Sequence, residues 1–83
     1  MAKTFFPYSN KTSFIKASPP HPANTEYKIS IGLETWGDEN HPVVKIQMVY
    51  DGEIAGRRSP SFPLGTDDFQ RVIKKTQEMI ELK

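Results

Sequence analysis

Between Tyr27 and Tyr50 the apolar residues fall on every second position, and from Phe69 onward they fall on every third or fourth. That change of period is the strongest constraint on the fold. Tyr27, Ile29, Ile31 and Leu33 alternate with Lys28, Ser30, Gly32 and Glu34, and Val44, Ile46, Met48 and Tyr50 enclose Lys45 and Gln47. A strand sends successive side chains to opposite faces, so each segment reads as a half-buried strand. Trp36–Pro42 between them is turn material. Asp51-Gly52 is a hairpin signal, because a type I′ turn needs positive φ at both central residues. Glu53–Ser59 is then expected to pair back as a third, shorter strand, and Pro60 and Pro63 confine the next segment to an edge or an extended connection.

Gly65-Thr66-Asp67-Asp68 opens a helix, with Thr66 as cap and the two aspartates in the first turn, where the helix dipole favours negative charge. Phe69, Val72, Ile73, Thr76, Met79 and Ile80 form its apolar stripe, against Arg71, Lys74, Lys75, Glu78 and Glu81 on the other side. The stripe has to be buried against the sheet. The expected class is therefore α+β: an antiparallel three- to four-stranded β-meander followed by one C-terminal α-helix packed on one sheet face.

Residues 1–26 read as an extended, proline-containing arm and residues 27–83 as the single sheet-plus-helix domain. Ser18-Pro19-Pro20-His21-Pro22 is extended or polyproline-like, since proline fixes φ and lacks a donor. Thr12–Ala17 is a candidate short edge strand. Phe5, Phe6, Tyr8, Phe14 and Ile15 load the arm with more apolar surface than a solvated tail carries, so part of it is expected to pack on the domain or on a partner.

The chain has 83 residues, 36% of them hydrophobic, and no cysteine. A domain of about 60 ordered residues buries only about 60% of its unfolded surface. Without disulfides to staple it, association is the common remedy, and a homodimer is expected. Cysteine chemistry is excluded. No apolar run approaches the roughly 18 residues of a membrane helix, and the first residues lack the apolar stretch of a secretory signal, so a cytoplasmic protein with no membrane partner is the expectation.

Catalytic, metal and cofactor signals are missing. His21 lies in the proline cluster and His41 in the first hairpin turn. Asp38, Glu39 and His41 match no metal spacing. Ser59 and Ser61 beside Arg57-Arg58 lack a nucleophile elbow, and the five glycines are scattered rather than gathered into a phosphate loop. The chain does not read as an enzyme.

Charge is uneven although the net is only +1. Residues 32–56 hold five acids and one base, whereas residues 1–31 and 57–83 are net positive. The sheet face away from the helix should display Lys28, Ser30, Gly32, Glu34 and Trp36, then Lys45 and Gln47, joined by Arg57 or Arg58. Cations beside an aromatic ring over small residues form a surface suited to single-stranded nucleic acid. The other reading is docking of another protein on the aromatic arm (residues 5–15) or on an open strand edge.

Val44–Phe69 resembles the PC4-like single-stranded-DNA-binding coactivators of transcription, and more distantly the Pur-type repeat. The likeness rests on Tyr50, Gly52-Glu53, the basic pair Arg57-Arg58, Phe62 with Leu64, and Asp67-Asp68-Phe69. Pro60 and Pro63 depart from the family pattern. The resemblance implies a curved antiparallel sheet with a C-terminal helix, a dimer through helix and sheet edge, and Arg57 and Arg58 as phosphate contacts.

Overall fold

A computed structural model describes residues 4–81. The elements run β1 (Phe5–Lys16), β2 (Thr25–Trp36), β3 (Glu39–Tyr50), β4 (Glu53–Ile54) and α1 (Asp68–Glu81). The four strands form one antiparallel sheet in sequence order, and α1 packs on it over β1 and β2. The α+β meander with a C-terminal helix is thus present. Among the described residues no helix is long and apolar enough to cross a membrane.

The central hairpin follows the alternation. Tyr27 faces Met48, Ile29 faces Ile46 and Ile31 faces Val44 in an unbroken register. Tyr27, Ile29 and Met48 join Ala17, Val72 and Met79 in the core, with Ile15, Ile31, Ile46, Tyr50 and Phe62 around them. The turn is tighter than the span Trp36–Pro42 suggests: Trp36 pairs with Glu39, leaving Gly37-Asp38 as the connection. At Asp51-Gly52 both residues have positive φ (54° and 80°), as a type I′ turn requires.

Three expectations need correction. Thr12–Lys16 form an edge strand as expected, but pairing with β2 extends back to Phe5↔Glu34, so residues 5–16 are strand β1 rather than part of an arm. A bulge between Pro7 and Thr12, with Asn10 at φ 63°, absorbs the irregular stretch and lets pairing resume on both sides. Pro7 is tolerated because β1 is an edge strand. The strand expected over Glu53–Ser59 stops at Ile54. Arg58 N–H donates to the Ala55 carbonyl, a turn that steers the chain away from the sheet.

The helix is also rotated relative to the expected stripe. Asp68, Val72, Thr76 and Met79 are its buried residues, whereas Phe69 and Ile80 are 52% and 59% exposed. The cause is Asp68, which is fully buried. Its Oδ2 accepts the Tyr27 hydroxyl at 2.8 Å and the Ser18 amide at 2.9 Å, and its Oδ1 accepts Arg71 Nη2 at 2.5 Å. Arg71 also donates to the Lys16 carbonyl and the Ser18 hydroxyl. Burial alone would raise the Asp68 pKa, but hydrogen bonds from Ser18, Tyr27 and Arg71 outweigh it and hold the carboxyl well below its usual range. Burial and the bond to Asp68 push the Tyr27 phenol upward. This cluster fastens the start of α1 to the β1–β2 connection.

Candidate nucleic-acid interface

The face that α1 leaves uncovered is set by strand parity. Lys28 lies opposite Phe14 on one side and Gln47 on the other, and Ser30 lies between Thr12 and Lys45. These residues border a groove of about 380 Å³, lined by Lys28, Ser30, Lys45 and Gln47 with Phe5 and Pro7 at one margin and Ile54 at the other. Ser30 is buried at its floor.

Gly32 does not continue that floor. A Cβ placed there would lie 2.3 Å from the Phe6 carbonyl oxygen and 2.6 Å from Pro7 Cα, so the first residues of β1 sit directly against it. Past the bulge, β1 leans over the uncovered face and closes one end of the groove. Phe5 accordingly reaches Lys45, whose Nζ lies 5.1 Å from the ring centroid. The same ammonium is 3.2 Å from Glu34 Oε2. Lys45 is therefore held in place and largely compensated, while Lys28 has no ion pair among the described residues.

Exposed aromatic surface lies on the same face. Phe14 is 53% exposed directly opposite Lys28, and Trp36 is 55% exposed at the hairpin tip. One side of the indole meets the His41 ring at 4.9 Å, tilted by 32°. His41 in turn is 3.3 Å from Glu39. By sequence Phe14 belongs to the arm, and only the β1–β2 register brings it to this face. The signal that could have found it is its place in Thr12–Ala17, the candidate edge strand.

Arg58 does not join this face. Arg58 lies over the Tyr50 ring at 5.7 Å, and Tyr50 points to the side of the sheet that carries α1. There Arg58 borders a separate pocket of about 630 Å³ with His21, Tyr50, Ser59 and Ser61. His21 Nε2 is 2.8 Å from the Ser61 carbonyl, so that nitrogen carries the proton and donates. Arg57 is exposed in the turn after β4. Of the five expected site residues, the structure brings Lys28 and Lys45 together, places Trp36 at one end of their face, separates Arg58 from them, and leaves Arg57 exposed in the turn after β4.

Comparison of the chain with protein-family models, curated proteins and solved structures finds no match.

Proposed function

We propose that the chain is a non-enzymatic protein that binds single-stranded nucleic acid on the uncovered face of its sheet, as a homodimer. The observation that supports this reading is that Lys28 and Lys45 line one open groove, with exposed Phe14 opposite Lys28 and exposed Trp36 farther along the same face at the hairpin tip. Unpaired bases expose flat faces that stack on aromatic rings at about 1–3 kcal/mol each, with little dependence on base identity. A duplex keeps those faces stacked inside and gains nothing from Phe14 or Trp36. The lysines supply the complementary phosphate contacts, although Glu34 limits the electrostatic share.

Trp36 is the only tryptophan and serves as its own probe. Titration with oligo(dT) at low salt should quench its fluorescence. If Lys28 and Lys45 are the two phosphate contacts, log K should fall with log salt at a slope of about −1.4, from roughly 0.7 counterions released per contact on a single strand. Absence of quenching or of any binding at low salt rejects the reading.

Protein docking on β1 is a second reading, favoured by Phe6 and Tyr8, both exposed on that strand. A Phe6→Ser, Tyr8→Ser variant that loses a protein partner while binding oligonucleotide normally would favour it.

A further inference from the structure

We infer that two copies of the chain join through the free edge of β3, antiparallel about a two-fold axis at Val43. The inference takes the dimer of the reading above and assigns it a surface. Ala55 N–H donates to the Met48 carbonyl at 2.9 Å, so Met48 directs its backbone groups away from β2. Strand alternation turns those of Val44 and Ile46 the same way. β4 pairs only with Val49 and Tyr50, so this row has no strand beside it among the described residues. Pro42 lies on the same row, where its missing N–H costs the sheet nothing.

The two outer edges differ. β1 is broken by its bulge and by left-handed Asn10, devices that discourage strand addition. β3 holds an unbroken register with β2 from Glu39 to Tyr50. On the helix-bearing face a second groove of about 380 Å³ reaches from Pro42–Val44 across Ile31 to Tyr8 and Lys11 of β1, beneath the Met79–Ile80 end of α1, where Lys11 donates to the Met79 carbonyl. Val44 is 39% exposed there. A free backbone row thus borders a largely apolar part of the sheet face at Pro42 and Val44, which suits an extended strand with apolar residues at alternate positions.

β3 is itself such a strand, because Pro42, Val44 and Ile46 occupy alternate positions on the groove side. With the axis at Val43, Val44 N–H meets the partner's Pro42 carbonyl, and Ile46 exchanges bonds with the partner's Asn40. An axis perpendicular to the sheet keeps both helices on one side. It also makes the two Lys28-bearing faces continuous on the other.

The chain has no cysteine, so Val43→Cys introduces a single thiol. Facing residues of a non-hydrogen-bonded antiparallel pair lie about 4.5 Å apart at Cα, within disulfide range. Mild oxidation should give a covalent dimer from Val43→Cys but not from Thr12→Cys on the β1 edge. Sedimentation without nucleic acid should show a dimer. Val44→Pro removes only an outward N–H and should raise the dissociation constant roughly tenfold or more; Val44→Lys should do the same by charging the groove, and far-UV circular dichroism verifies folding of each. A monomer at every concentration overturns the interface and the dimer together. A dimer unaffected by both Val44 changes, or one that Val43→Cys does not cross-link, overturns the β3 interface alone.

Discussion

Replacing Asp68 tests how the helix is held. Asp68→Ala removes a buried carboxylate that accepts the Tyr27 hydroxyl, the Ser18 amide and Arg71 Nη2. The part-buried Ser18 amide then loses its acceptor, at about 1–3 kcal/mol, whereas the Tyr27 hydroxyl keeps the Ser61 carbonyl at 3.0 Å. Arg71 loses less, since its side chain is 36% exposed and it keeps Asp67 at 3.0 Å and the Lys16 carbonyl at 3.1 Å. With the lost bonds from Tyr27 and Arg71 added, the expected loss is about 2–4 kcal/mol, a large share of the roughly 5–15 kcal/mol that holds such domains together. At about 4–8 °C per kcal/mol for a domain of this size, Tm should fall by more than about 8 °C. Urea unfolding followed by far-UV circular dichroism measures it, and Asp68→Asn should lose less because one acceptor oxygen survives. A loss below about 1 kcal/mol for Asp68→Ala would refute the view that this cluster anchors α1.

The other predictions concern acid, backbone clearance and the face. Because the Asp68 carboxyl titrates lower in the folded chain than in the unfolded one, its stabilisation is complete above about pH 4 and fades as pH falls into the strongly acid range. Urea midpoints measured against pH should show that decline in the native protein and a weaker one in Asp68→Asn. Gly32→Ala forces a Cβ against the Phe6–Pro7 backbone and should cost about 1–3 kcal/mol, or detach the first residues of β1; proteolysis near residue 7 distinguishes the two. Phe14→Ser should weaken oligonucleotide binding by about 1–3 kcal/mol without changing the salt slope, whereas Lys28→Glu should flatten that slope.

The parts of the fold legible from sequence are those decided by local pattern. Tyr27–Leu33 and Val44–Tyr50 announce their faces by alternation, Asp51-Gly52 announces its turn, and Thr66 to Asp68 marks a helix start. The hidden parts depend on pairing at a distance. Nothing near Pro7 reveals that Phe5 resumes pairing with Glu34 beyond a bulge, so the part of β1 before Thr12 resembles an arm. Asp68 reads locally as a dipole residue because its partners, Ser18 and Tyr27, lie far away in sequence. Its phase with Val72, Thr76 and Met79 is nonetheless visible, and a carboxylate on a buried helical phase signals a buried partner. Lys28 and Lys45 reach one face because parity alone puts them there. Arg58 does not, because its position depends on the turn after Ile54 that carries the chain to the helix side.

A map of backbone amide shifts on adding oligo(dT) at low salt tests the proposed face most directly. Perturbations should centre on Phe14, Lys28, Ser30, Lys45 and Trp36, with Phe69 to Gln77 on the outer surface of α1 unmoved. Shifts concentrated on α1 or around Arg58 and His21, or none anywhere, would contradict it.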